Sequence, residues 1–195
     1  IEVINPGVDP LSDIPKEKIN EAENIFNGKS KRIITVSRFD KRKNHEKVIL
    51  AVRNLKEMYH DIIYICDGYG GEEDNHKKTV GEMQLSVHVK FVQNIDNDLK
   101  NALISRSNIF VMPSIIYKKS VEGFGIVFIE AAQYGVPSIG GKDGGASDAI
   151  IHGKTGLICD GNNLNDIYSS IDKLLKDQTY KEFGKAAKEN ALTFN

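Results

Sequence analysis

Short runs of β-branched and apolar residues alternate along this chain with longer stretches whose apolar positions recur every three or four residues. Ile33–Ser37, Ile62–Cys66, His88–Val92, Ile109–Met112, Val136–Ile139 and Gly156–Cys159 read as strands, each near the usual strand length. Val48, Ile49, Val52 and Leu55 form one apolar helical face after the first strand, and Leu164, Ile167, Ile171 and Leu174 form another late in the chain. Tyr180, Phe183, Ala187 and Leu192 have helical spacing near the end. Alternation of this kind predicts parallel strands joined by crossover helices, so the expected fold class is α/β, a doubly wound parallel sheet of about six strands. No repeat, low-complexity tract or Pro- or Ser-rich linker occurs after residue 15, which predicts one domain over residues 1–195 with residues 1–15 as a leading segment. The chain opens on Ile1-Glu2-Val3-Ile4 without methionine, turns at Asn5-Pro6-Gly7, and ends on an uncapped helical run. We therefore expect a piece of a longer protein.

Composition narrows the function classes. The chain has 195 residues, enough for a core of its own, and its 26 Lys and Arg against 27 Asp and Glu leave a formal charge of -1. Nothing global draws it to nucleic acid or an anionic membrane, so any anion site is local. Cys66 and Cys159 both lie in apolar runs and no Asn-x-Ser/Thr acceptor occurs, which points to a reducing, cytoplasmic compartment. The apolar runs are far too short to span a bilayer, although peripheral association of a larger parent with the inner face of a membrane stays open.

In doubly wound sheets the ligand sits outside the carboxyl ends of the strands, and the unusual residues of this chain follow those ends. Arg38 to Lys43 puts four cations in six positions after the first strand, suited to an anion such as a diphosphate, or simply a solvated basic turn. Arg38 abuts the strand and is the favoured ligand, with Lys41 and Arg42 expected to face water. Glu122-Gly123-Phe124-Gly125 leads into a buried apolar helix expected to begin near Phe124, whose first amides suit a phosphate. Glu130 then lies about 9 Å along that helix among Ile129, Ala131 and Ala132. A carboxylate there needs donors, which ribose hydroxyls or an unseen Arg or backbone group would supply. Gly140 to Gly145 leaves backbone free to approach the same pocket, or is a plain flexible loop. Gly68-Tyr69-Gly70-Gly71 lacks the spacing and the acidic partner of a dinucleotide loop, and Asp96 reads better as a helix N-cap than as part of a metal clamp. The five histidines and two cysteines show no metal-ligand spacing, and neither a Walker loop nor a Gly-x-Ser-x-Gly elbow occurs.

Taken in order, these segments resemble the donor-binding C-terminal domain of retaining GT-B glycosyltransferases of the group 1, or family 4, type. That family includes mannosyl-, glucosyl- and N-acetylglucosaminyl-transferases of glycolipid, lipopolysaccharide and capsule synthesis. The resemblance runs from Val3-Ile4-Asn5-Pro6-Gly7-Val8-Asp9 through Ser37-Arg38-Phe39 and Lys43 to Gly144-Gly145, Asp148 and Gly153-Lys154-Thr155-Gly156-Leu157. Glu122 and Glu130 match the family's Glu-x7-Glu motif.

The resemblance implies a fold and a set of roles. Arg38 and Lys43 would bind the donor diphosphate and neutralise the leaving nucleotide in place of a metal. Gly123 to Ile126, including Phe124 and Gly125, would offer backbone to phosphate and sugar, Glu122 would bind the hexose hydroxyls, and Glu130 the ribose. Gly68 and the segment Gln93 to Ile95 would meet the base, largely through backbone. A UDP-, GDP- or ADP-linked sugar would be the substrate, with no cofactor and no metal, and an N-terminal domain absent here would bring the acceptor site and a catalytic histidine. Asn44, Cys66 and Gln93 stand where the family often has glycine, Asp148 stands where Glu is usual, and Ile115 to Val121 is longer than in many relatives. Two rival readings are a non-catalytic nucleotide- or phosphosugar-binding module of the same fold and a flavodoxin-like domain. The joint presence of Arg38, Lys43, Glu122 and Glu130 argues against the first. The absence of an acidic phosphorylation cluster or a flavin loop argues against the second.

Overall fold

Six strands form one sheet: β1 Lys31–Val36, β2 Ile62–Asp67, β3 Val89–Val92, β4 Ile109–Met112, β5 Ser138–Gly141 and β6 Gly156–Cys159. Their order is β3-β2-β1-β4-β5-β6 and every pair is parallel, as the strand and helix alternation predicts. The computed structural model describes residues 8–194, so the expected turn at Asn5-Pro6-Gly7 and the first seven residues of the chain lie outside the described residues.

Burial on both faces explains the near-continuous apolar runs, because successive side chains point to opposite sides of the sheet. Ile33, Ile62, Tyr64, Cys66, Ile109 and Val111 face one core with α2 (His45–Leu55), α3 (Glu73–Glu82) and α7 (Leu164–Leu175). Ile34, Ile63, Ile65, Phe110 and Met112 face the other, with α1 (Lys16–Phe26), α4 (Asn97–Ser105), α5 (Ile126–Gln133), the single turn α6 (Ala146–Ala149) and much of α8 (Tyr180–Ala191). Helix α1 turns Ile19, Ala22, Ile25 and Phe26 to the core, whereas α3 carries little apolar periodicity and buries only His76 and Val80.

Several boundaries move for local reasons. The fifth strand begins at Ser138 rather than Val136, because the Val136 amide closes the end of α5 on Ala131 O at 3.1 Å. In α8 the buried residues are Phe183, Gly184, Ala187 and Ala191, whereas Leu192 opens the 3-10 turn that follows and is exposed.

Candidate functional site

The order of the strands reverses between β1 and β4, which pair side by side in register Ile33 with Ile109 and Ile34 with Phe110. At such a switch point the two loops leaving the carboxyl ends diverge and open a crevice. After β1, the Asp40 carboxylate accepts from the Lys43 amide at 3.1 Å and caps a short 3-10 turn over Lys41–Lys43. Asn44 then takes a left-handed conformation, φ 64°, a region that favours glycine. Its side chain does not cap α2. Its amide instead donates to Pro113 O at 3.0 Å and Gly161 O at 2.7 Å, tying the loops after β1, β4 and β6 together.

Glu122 is the centre of this crevice and is buried. One oxygen, Oε2, accepts from Lys43 Nζ at 2.5 Å, Arg42 Nη1 at 2.8 Å and Ser114 Oγ at 3.3 Å. None of the hydrogen bonds of the described residues reaches Oε1. The carboxylate is therefore fixed by one oxygen and has the other left to accept. Lys43 is held in place by the same contact, with its Nζ also 3.5 Å from Met112 Sδ. Arg42, expected to face water, is instead only 12% exposed and also donates to Val121 O at 3.2 Å. Arg38, the favoured cation, stands at the rim, 67% exposed and 3.8 Å from Asp40 Oδ2. Both Arg42 and Ser114 escape sequence reasoning, since nothing local distinguishes Arg42 from a solvated neighbour, and Ser114 acquires its role only from the way the loop after β4 folds back to bring Glu122 beside it.

A buried polar chain supports the loop from below. Thr35 donates its hydroxyl to Val111 O, so it accepts from the Tyr64 hydroxyl at 2.8 Å. Tyr64 in turn accepts from His45 Nδ1 at 3.0 Å, which leaves Nε2 to accept the Ser37 hydroxyl at 3.0 Å. Burial, with His76 close by, pushes the His45 pKa down to about 3, so the ring is neutral as this arrangement requires. Metal-ligand spacing, the pattern by which the histidines are read in the sequence, gives no sign of this role. Its signal is the position of His45 directly after the cationic loop and at the start of an apolar helix face.

The second glutamate sits on different ground. Gly125 has φ 76°, and a Cβ there would lie 2.6 Å from the Phe128 ring, so α5 starts at Ile126 rather than near Phe124. No side chain caps it, which leaves the first amides of the helix without a side-chain acceptor, as an anion site needs. Phe124 is half-buried with its ring 5.6 Å from that of Phe194, Gly123 is exposed, and Ile126 is 46% exposed. Glu130 is thus the fifth helical residue, about 6 Å along the axis. It is not a sequestered carboxylate: a third of its side chain is exposed and Lys100 Nζ lies 3.6 Å away. The structure therefore places Glu130 apart from the Lys43–Glu122 pair, with Lys100 as the partner that the sequence left unnamed.

The Gly140 to Gly145 loop has a tighter duty than flexibility. Glu122 and Gly144 form a parallel bridge, and a Cβ on Gly145 would collide with Gly123 O, so these glycines let backbone lie directly on the glutamate loop. At the ends of β2 and β3, Gly68 lies so close to Ser37 O that no side chain fits. Gln93 donates to Gly68 O at 3.3 Å and to Glu73 at 2.6 Å, which occupies its side chain, and Ile95 is half-buried against the core. Asp67, between Cys66 and Gly68, is buried and its pKa rises to about 6, against the pull of Lys100. Asp96 caps α4 by accepting from the Leu99 amide at 2.8 Å, as expected.

Two hollows flank the crevice. One of about 460 Å³ is lined by Arg38, Lys41, Arg42, Tyr117 and Lys118 among others, and one of about 330 Å³ by Lys100, Glu130, Asn97 and Asp98. A wider hollow of about 780 Å³ lies between the C-terminal ends of α2 and α3 and gathers no comparable chemistry. Among the described residues no cluster of three His, Cys, Asp or Glu could hold a metal ion, and no helix is long and apolar enough to cross a membrane. Both cysteines are free and buried, and burial raises both thiols, Cys159 to about 12.

The likeness to known proteins agrees with this geometry. Residues 16–190 match the family described as "Glycosyl transferases group 1". A GDP-mannose-dependent alpha-(1-6)-phosphatidylinositol monomannoside mannosyltransferase of Mycolicibacterium smegmatis is 28% identical over 181 residues, covering 91% of this chain and 47% of that protein. The N-acetyl-alpha-D-glucosaminyl L-malate synthase of Bacillus anthracis is also 28% identical, over 92% of this chain and 44% of its own length. The chain thus spans about half the length of the curated relatives it matches. Among solved structures, Anabaena Alr3699/HepE in complex with UDP and glucose superposes with a TM-score of 0.78 at 19% identity, over 92% of this chain and 48% of that one. The C-terminal domain of the group 1 family protein LpcC from Francisella tularensis matches at 0.74 and 19%, covering 92% of this chain and 93% of that one. With its six-stranded 3-2-1-4-5-6 sheet and a family match running through most of its length, the chain belongs to the group 1 glycosyl transferases, retaining enzymes of GT-B fold, and corresponds to their donor-binding domain.

Proposed function

We propose that this domain binds a nucleotide-diphospho-hexose and serves, inside a longer protein that carries an acceptor domain, to transfer the hexose with retention to a glycan or lipid-linked acceptor. The observation that carries the reading is the half-saturated Glu122: three donors on Oε2, Oε1 left to accept, and the cationic loop and the uncapped α5 beside it. Oε1 takes a hydroxyl of the donor hexose and fixes the sugar. The donor diphosphate bridges Arg38, Lys43 and the first amides of α5. As the bond from the anomeric carbon to the diphosphate breaks, negative charge accumulates on the departing oxygen, and these preorganised donors stabilise it without a metal. Glu130 accepts the ribose hydroxyls, and the Gln93 to Ile95 segment meets the base. The catalytic assignments to Arg38, Lys43 and Glu122 are part of this proposal, as are the cytoplasmic location and the lack of turnover by the isolated domain.

Thermal-shift measurements on the chain test it, with UDP, GDP, ADP and their sugars, GDP-mannose and UDP-N-acetylglucosamine included since the relatives and structural neighbours name such groups. A nucleotide at about 100 times its dissociation constant adds about 2.7 kcal/mol, which is about 5–10 °C for a chain of this size. Arg38→Ala abolishes the shift. A panel in which no nucleotide moves the melting temperature, or an unchanged shift in Arg38→Ala, overturns the assignment.

A further inference from the structure

The segment from Ile115 to Val121 folds as a tight two-residue hairpin. Tyr117 and Ser120 exchange both backbone hydrogen bonds, at 3.0 and 2.9 Å, and the two residues between them are Lys118 and Lys119, at φ 47° and 65°. Turns with two positive φ angles strongly prefer Asn-Gly, since a Cβ is strained in the left-handed region. Two consecutive lysines are a poor choice for the turn itself. Strain of this kind is a pointer to a role, and the surroundings supply one.

The hairpin is fastened to the cationic loop. Its first amide, Ile115, donates to Arg42 O at 2.9 Å, and Arg42 Nη1 donates to Val121 O at its other end, so Arg42 grips the root of the hairpin and Glu122 together. At the tip, the ammonium groups of Lys41 and Lys118 both lie against the Tyr117 ring, 5.8 and 5.5 Å from its centre. Among the described residues, neither these two lysines nor Lys119 forms an ion pair, and all three are exposed. By contrast, the charge of Arg42 is spent on Glu122. The adjoining hollow of about 460 Å³ contains Asp40 and Glu72 as its acids, with Asp40 already shared by Arg38 and Arg42. Lys41 and Lys118 therefore face one aromatic platform outside the Lys43–Glu122 pair, in a hollow that Arg38 also lines, and Lys119 stands next to Lys118 in the turn.

We propose that Lys41, Tyr117, Lys118 and Lys119 form a second phosphate subsite, distinct from that of the donor diphosphate, which holds a phosphate carried by the acceptor. This rests on the donor-binding reading for its placement in the reaction. The donor brings its diphosphate to Arg38, Lys43 and α5, so three further unpaired cations exceed what it requires. The tip is three to four residues from Glu122, at most about 14 Å of extended chain, so a phosphate there stays close to the hexose that Glu122 would hold. The same chemistry fits a phosphate monoester on a small acceptor and the phosphate of a lipid headgroup.

The test compares the wild-type chain with K118N/K119G, which restores the preferred turn pair and removes two charges. Amide NMR shifts of Ile115 to Val121 are followed in a titration with inorganic phosphate in the presence of saturating UDP, and co-sedimentation is measured with vesicles of phosphatidylglycerol against phosphatidylcholine. The expected result is a saturable phosphate response at the hairpin that persists with UDP bound. It weakens at least fivefold in the variant while UDP affinity stays within twofold. Vesicle binding lost in the variant assigns the phosphate to a headgroup, and phosphate response without vesicle binding assigns it to a soluble acceptor. The subsite is overturned by silence at the hairpin in both arms, by displacement of phosphate by UDP, or by a tenfold loss of UDP affinity in the variant. Should UDP itself not bind the wild-type chain, the donor reading fails on its own, and the phosphate titration is still read against K118N/K119G.

Discussion

Arg42→Ala separates the site seen in the structure from the one a reader of the sequence expects. In a solvated basic turn this change costs almost nothing, since surface charges contribute within about 0.5 kcal/mol. Here the side chain is only partly exposed and the guanidinium donates both to Glu122 Oε2 and to Val121 O. A hydrogen bond to a charged partner contributes about 1.5–3 kcal/mol. Removing it does not strand Glu122, because Lys43 and Ser114 still reach the same oxygen, so the cost stays below the about 3–5 kcal/mol of a buried charge left alone. We expect a loss of about 2 kcal/mol, or about 4–8 °C in melting temperature for a chain of this length. Urea denaturation of wild type, Arg42→Ala, Glu122→Gln and the double variant measures it, with a coupling of at least about 1 kcal/mol between the two positions. If Arg42→Ala melts with the wild type, or if its cost is the same in both Glu122 backgrounds, the convergence on Oε2 is not an interaction that stabilises the fold.

Two further outcomes follow from other parts of the site. Burial raises the folded pKa of Asp67 to about 6, above its unfolded value, so the unfolded chain gives up this proton first as pH rises and stability falls between about pH 4 and 6. At about 1.4 kcal/mol per pKa unit the loss is about 3 kcal/mol, and stability measured from pH 4 to 7.5 should show it in the wild type and not in Asp67→Asn; parallel profiles would refute the burial argument. Glu130→Ala should leave stability within about 1 kcal/mol, because its pair with Lys100 is long and partly exposed, yet weaken nucleotide binding about tenfold or more by calorimetry. Equal affinity for a nucleotide and its 2′,3′-dideoxy analogue in the wild type would remove the ribose role.

Much of the fold was legible because its signals are local. Six apolar runs of strand length and the helical faces between them depend on which residues neighbour each other in sequence, and all six strands form where those runs lie. The Glu-x7-Glu spacing and the Arg38 to Lys43 loop are equally local, as is the cap at Asp96. Helix starts were less legible. The left-handed Gly125 delays α5 by two residues, and the left-handed Asn44 spends its side chain on two distant carbonyls instead of on the helix.

What the sequence determined by itself, then, was the class of the fold, the edge on which the chemistry gathers and the residue types that gather there. Tertiary structure alone decided which of them touch. Lys43 and Glu122 are 79 residues apart, and they meet because β4 pairs with β1 rather than continuing beyond β3. The same pairing draws Arg42 inward onto Glu122 and leaves Arg38 at the rim, and it turns Glu130 toward Lys100 on α4. Strand order is set by the packing of whole helices across both faces of the sheet, a cooperative energy that no short window of sequence contains, and the burial that makes a charge structural or free is a product of that packing.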